Sequence, residues 1–237
     1  MNVAIILAGG SGSRVGGDRP KQFLEVAGKM IIEHTIEAFH RNERIDEIAI
    51  VSRKDYVDEV KQLVEKRGYA KVRHVLCGGK ERYHSSLAAL EAYKDDDIRL
   101  LFHDCVRPLV SQRIINDCLD ALDRYDAVDV AVPATDTIIE ASPGPSQGGV
   151  LVITNIPARS TLFNVQTPQG FRRGVIAEAF AKALQDPGFM PTDDCSVVFR
   201  YMPQTPIHIV SGEPTNIKIT YKEDLEFTEK MLGKSVK

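Results

Sequence analysis

Apolar positions along the first half of the chain switch repeatedly between short continuous runs and helical stripes. Residues 3–8 form an aliphatic run that stops at Gly9-Gly10-Ser11-Gly12, the pattern of a buried strand entering a glycine loop. Over residues 30–40, Ile31, Ile32, Thr35, Ile36 and Phe39 fall on one helical stripe. Residues 48–51 read as a second buried strand and 55–67 as a charged helix with Val57, Val60 and Val64 turned inward. A third strand at 72–76 ends in Cys77-Gly78-Gly79, and a helix over 85–92 leads to a fourth strand, 98–102, closing on His103-Asp104. This alternation predicts an α/β fold, an open, mostly parallel Rossmann-like sheet with right-handed crossovers. The pattern then changes. Two β-rich segments, 128–139 and 150–156, are separated by Pro143-Gly144-Pro145-Ser146 and Gln147-Gly148-Gly149, which predicts a protruding β-hairpin arm over about 133–165. A helix at 176–184, strands at 207–210 and 216–220, and a closing helix at 225–232 complete the prediction.

Composition narrows the function. A chain of 237 residues suits one large α/β domain, taken here as 1–237. Lys and Arg total 30 against 33 Asp and Glu, so the basic excess typical of nucleic-acid binding is missing and no such partner is expected. No apolar run approaches the roughly 20 residues of a membrane span, so no membrane association is expected. The beginning of the chain reads as the first strand of a cytoplasmic protein, with no basic segment ahead of it. Cys77, Cys105, Cys118 and Cys195 are scattered without CxxC or zinc spacing and read as free buried thiols. His34, His40, His74, His84 and His208 show no metal spacing and read as surface or packing residues.

Ligands of open parallel sheets bind beyond the carboxyl ends of the strands, and the motifs at 9–14, 78–82 and 103–107 all fall there. The glycines after the first strand let backbone N–H groups approach a phosphate chain, and Arg14 adds fixed charge; a tight turn would use the same glycines. The loop is neither a GxGxxG fingerprint, since Val15 stands at its third glycine, nor a P-loop. Lys21, in Pro20-Lys21-Gln22-Phe23, adds the cation that a triphosphate with a pentacovalent α-phosphorus would require, unless it is simply solvated. Thr192-Asp193-Asp194 reads as the cap of a following helix, with no catalytic role.

The segments 7–14 and 20–23 together resemble the signature of the cytidylyltransferases that join CTP to a polyol phosphate. The resemblance continues in order through Gly78-Gly79-Lys80-Glu81-Arg82, His103-Asp104-Cys105-Val106-Arg107-Pro108, Asp136-Thr137-Ile138, Arg159, Gln166-Thr167-Pro168-Gln169, Thr192-Asp193-Asp194 and Asn216-Ile217-Lys218-Ile219-Thr220. It implies an enzyme that transfers CMP from CTP with release of pyrophosphate. It further implies Mg²⁺ as cofactor and a homodimer with shared active sites. By this resemblance Leu7, Ala8, Gly9, Gly10, Ser11 and Gly12 would hold the nucleotide, and Arg14, Lys21 and Lys218 would be catalytic cations. Gly79, Arg82 and Ser86 would read the cytosine and ribose, and Asp104 would bind nucleotide and metal. Arg107, Thr137, Arg159 and Thr167 would bind the acceptor, Thr137 and Arg159 from a neighbouring subunit; for Arg107, structural pairing with Asp104 is equally open. Thr215 stands where relatives often carry Asp, which leaves a second metal ligand unsupported.

Two acceptors fit the resemblance. Leu7-Ala8-Gly9-Gly10, the His103–Pro108 segment and Glu140, together with Ile156-Pro157-Ala158-Arg159, look more like the enzymes that use ribitol 5-phosphate, giving CDP-ribitol, than those that use 2-C-methyl-D-erythritol 4-phosphate. Two other classes compete with the enzyme reading. A non-catalytic nucleotide-binding module would bind CTP without turnover. A glycosyltransferase would want a DxD-like motif, but Asp95-Asp96-Asp97 precedes a strand and reads as a solvated turn.

Overall fold

The structure, a computed structural model, describes residues 1–10, 19–144 and 149–234. Its strands are β1 (Asn2–Ala8), β2 (Glu25–Val26), β3 (Lys29–Met30), β4 (Glu47–Ser52), β5 (Val72–Cys77), β6 (Arg99–Asp104), β7 (Ala127–Pro133), β8 (Glu140–Pro143), β9 (Leu151–Asn155), β10 (Phe163–Arg172) and β11 (Ile207–Ser211). The helices are α1 (Ile31–His40), α2 (Val57–Arg67), α3 (Arg82–Ala92), α4 (Gln112–Leu122), α5 (Arg173–Ala183), α6 (Asp194–Tyr201) and α7 (Lys222–Lys234).

A seven-stranded sheet in the order β11-β7-β10-β6-β1-β4-β5 forms the centre. β10 runs antiparallel to β6 and β7, whereas β1, β4, β5 and β6 pair in parallel, as does β7 with β11. Both faces are covered, which is why β1 is a continuous aliphatic run instead of an alternating one. Ala4, Ile6 and Ala8 pack toward Ile32, Ile36 and Phe39 of α1, Val60 of α2 and Ile115 of α4. Val3, Ile5 and Leu7 face the opposite layer, with Leu90 of α3, Phe180 of α5 and Val198 of α6. No described helix is long and apolar enough to cross a membrane.

Several expectations change on contact with the structure. The segment 216–220 forms no strand and joins no sheet; the Ile219 N–H donates to Val106 O at 2.9 Å. The helix expected at 85–92 starts at Arg82, and the one at 55–67 begins with a 3₁₀ turn, Lys54–Tyr56, with Leu63 joining Val60 in the core. Of the segment 128–139, the first part belongs to the central sheet as β7, and β10 carries the chain back into it from 163 onward. The arm itself is the small antiparallel pair β8–β9, and its turn at 145–148 lies outside the described residues. Helix α4 enters where no element was expected. Cys105, Cys118 and Cys195 are buried free thiols, but Cys77 is exposed.

Candidate active site

Beyond the carboxyl ends of β1, β4, β5 and β6 lies a cleft of about 760 Å³, lined among others by Ala8–Gly10, Lys21, residues 78–82, Asp104 and Lys218. This volume suits a nucleotide-sized ligand. Local sequence chemistry explains how each wall is held. In Pro20-Lys21-Gln22-Phe23 the three side chains after the proline divide the work. Lys21 lines the cleft and its Nζ donates to Ile219 O at 2.6 Å. The buried Gln22 amide donates to Ala8 O and Gly10 O at 2.7 and 3.0 Å, holding the start of the glycine loop. Phe23 is buried and stacks on Tyr56 with ring centroids 4.7 Å apart, fixing this turn against the one after β4.

Asp104 ends β6 at the cleft floor. Its carboxylate lies 2.8 Å from Lys218 Nζ and 3.7 Å from both Arg82 Nε and Arg107 Nε. Burial opposes its ionisation, but Lys218, Arg82 and Arg107 outweigh that cost and hold the carboxyl well below the usual range. The preceding residue locks the strand end. Burial keeps the His103 imidazole neutral, with its pKa lowered to about 4. Its Nε2 faces Arg107 O at 3.1 Å, and a carbonyl can only accept, so Nε2 carries the proton. Nδ1 therefore accepts from the Thr167 hydroxyl at 2.9 Å, and the same hydroxyl oxygen accepts from the Asp104 N–H at 3.1 Å.

The wall opposite comes from the β5–α3 connection. A Cβ on Gly79 would lie 2.6 Å from His84 Cβ, so the close approach of the loop to the first turn of α3 requires glycine. Arg82 places Nη1 2.7 Å from Asp194 Oδ2, and Asp194 and Asp104 favour its charged form against burial.

The sequence-derived candidates thus separate into groups. Leu7, Ala8, Gly9, Gly10, Lys21, Gly79, Arg82, Asp104 and Lys218 share the cleft. Ser11, Gly12 and Arg14 lie outside the described residues. Ser86 is fully buried and donates to Asp194 Oδ1 at 2.6 Å, while its neighbour Ser85 lines the cleft; one residue of helical phase separates the two roles. Thr167 is buried in the His103 relay. Arg107 is largely buried and donates to Asn216 O at 2.8 Å, tying the Lys218 segment to the strand end. Thr137 and Arg159 are exposed near the arm and do not line this cleft; Arg159 donates to Thr135 O at 3.2 Å. Arg53 and Lys54, which the sequence reading passed over, also line the cleft. Their only sequence signal was position, directly after the strand β4.

A family model described as 2-C-methyl-D-erythritol 4-phosphate cytidylyltransferase (IspD) matches residues 2–234. The chain is 44% identical over 236 residues to the 2-C-methyl-D-erythritol 4-phosphate cytidylyltransferase of Thermobifida fusca, covering 98% of this chain and 94% of that protein. It is also 42% identical over 232 residues to a bifunctional ribulose 5-phosphate reductase/CDP-ribitol pyrophosphorylase of Haemophilus influenzae, covering 97% of this chain but 48% of that longer protein. Among solved structures it is similar to a 4-diphosphocytidyl-2C-methyl-D-erythritol synthase from Anaerococcus prevotii, with a TM-score of 0.83 at 32% identity over 98% of this chain and 96% of that one. A parallel sheet that ends in this cleft, with Asp104, Arg82, Lys21 and Lys218 around it, is matched over nearly its whole length by these relatives, and the chain belongs to the IspD family of cytidylyltransferases.

Proposed function

We propose that the protein transfers the cytidylyl group of CTP to 2-C-methyl-D-erythritol 4-phosphate, releasing pyrophosphate. The observation that carries the chemistry is the convergence of Lys21, Arg82 and Lys218 with the ionised Asp104 around one cleft. The names of the relatives at 44% and 32% identity favour the erythritol as acceptor over the ribitol reading drawn from the sequence. Ribitol 5-phosphate stands as a second reading because the Haemophilus influenzae protein, named for CDP-ribitol, matches 97% of this chain.

In the reaction a phosphate oxygen of the acceptor bonds to the α-phosphorus as the bond to pyrophosphate breaks. The attacking phosphate is already an anion at neutral pH, so no protein nucleophile or strong base is needed. Backbone groups of Leu7–Gly10 and Gly79, with Ser85, hold the nucleotide. Lys21 and Lys218 meet the charge that grows on the α-phosphate. Asp104 fits a Mg²⁺ ligand, since it is an ionised hard oxygen donor on the cleft and this ion takes few carboxylates beside substrate phosphates and water. When bound, the metal would draw charge from the triphosphate oxygens.

The apolar side chains on β9, Leu151 at 67% and Ile153 at 58% exposure, support an arm that packs on a second copy and brings Thr137 and Arg159 to that copy's acceptor. The test is pyrophosphate release from CTP and Mg²⁺, with the two polyol phosphates side by side. Preference for the erythritol supports the first reading and preference for ribitol 5-phosphate the second. CTP binding without release with either acceptor would favour a non-catalytic module.

A further inference from the structure

The Asp193-Asp194 pair was expected only to cap a helix, and Asp193 does so, accepting from Ser196 N–H at 2.8 Å. Asp194 does something else. It is fully buried at the start of α6, accepts from Ser86 Oγ at 2.6 Å through Oδ1, and turns Oδ2 to Arg82 Nη1 at 2.7 Å. Its backbone is held as well, because Oε1 of the Gln169 side chain accepts from the Asp194 N–H at 3.1 Å. The amide of Gln169 in turn donates to Asp129 at 3.1 Å and Asp193 at 2.8 Å. A buried carboxylate fixed from this many sides leaves the guanidinium it holds little freedom.

Arg82 stands between two carboxylates. Its Nε is 3.7 Å from Asp104 Oδ1, beyond hydrogen-bond length, while its Nη1 is in contact with Asp194. A guanidinium released from Asp194 would close that gap and pair directly with Asp104, the carboxylate at the cleft floor. We infer that Asp194 is a positioning residue for the cytidylyl transfer, restraining Arg82 at the cleft wall so that Asp104 Oδ1, the oxygen not bonded to Lys218, remains available to the bound nucleotide and its counter-ion. Ser86 serves the same restraint by fixing the other oxygen of Asp194. The inference rests on the nucleotide site proposed above.

The experiment is a double-mutant cycle with Asp194→Asn and Arg82→Ala, read by equilibrium binding of CTP without acceptor and by kcat/KM for CTP, with thermal melts as the folding control. Asp194→Asn should lower both by about tenfold in the otherwise unaltered chain and by less than about twofold when Arg82 is already Ala. Equal losses in the two backgrounds, or no loss in either, overturn the proposal. If Asp194→Asn does not fold, Ser86→Ala is carried through the same cycle, with a smaller loss that again vanishes in the Arg82→Ala background, and additivity there is equally decisive. Absence of CTP binding by the unaltered chain would instead overturn the nucleotide site itself, and the proposal with it.

Discussion

Lys218 reaches Asp104 across 114 positions of sequence, and the side chain is still 46% exposed. It is therefore placed to give its charge to a ligand at little cost in packing. Lys218→Ala is expected to lower kcat/KM by about a hundredfold or more, the usual consequence of removing a preorganised donor, while the melting temperature stays nearly constant. Steady-state kinetics with parallel melts check this, and a collapse of the melt with unchanged turnover of the folded fraction would sink it. Asp129 tests the buried polar layer beneath the site. Burial raises its pKa to about 7 from 3.8, with Asp193 adding to the rise and the Gln169 hydrogen bond opposing it. The folded state thus holds a proton more tightly than the unfolded chain, and this contribution to stability is complete below pH 3.8 and lost as the pH rises through 7. Asp129→Asn should therefore gain on the unaltered protein between pH 5 and pH 8, so the difference between their melting temperatures shifts in the variant's favour. A pH-independent difference would refute the assignment. The cleft cations Lys21 and Arg82 and the acid Asp104 were legible in the sequence because each stands in a short motif, Arg82 and Asp104 at strand ends and Lys21 in the turn Pro20-Lys21-Gln22-Phe23. The distinction between Ser85 and Ser86 was not, since it depends on where helix α3 begins.

At the scale of elements, the strands with continuous aliphatic runs were the most legible, because burial on both faces leaves a pattern that no partner needs to complete. β10 was hidden. Pro168 lies inside it, the register shifts between Val165 and Gln169, and a proline within an apolar run argues against a strand. Its packing nevertheless demands a particular residue. A Cβ on Gly170 would fall 2.7 Å from Val128 Cγ2 and 2.9 Å from Leu101 Cδ2. Gly170→Ala is expected to cost about 1–3 kcal/mol through overpacking, measured by denaturant unfolding, whereas an unchanged midpoint would show that the layer yields. The segment 216–220 misled in the opposite way. Ile217 and Ile219 alternate as strand residues do, but the chain here joins no sheet and is held by Arg107, Lys21 and a backbone bond to Val106.

At the scale of the whole molecule, the arm places Val152 and Ile156 in solvent beside Leu151 and Ile153 in the single chain. Replacing both Leu151 and Ile153 with Glu is expected to shift the protein from dimer to monomer in sedimentation velocity and to lower turnover while leaving the fold of the central sheet intact. A variant that stays dimeric, or an unaltered chain that is monomeric, would exclude the arm as the assembly surface. The sequence by itself determined the sheet class, the succession of its first strands along the chain and the short motifs that carry Lys21, Arg82 and Asp104, because hydrophobic period and local motif act over a few residues. Tertiary structure alone decided that β10 reverses direction between β6 and β7, that Asp194 grips Arg82, and that Thr167 and His103 lock the Asp104 backbone. Those outcomes rest on contacts between distant segments, where burial makes every polar group find a partner and no local pattern records which one.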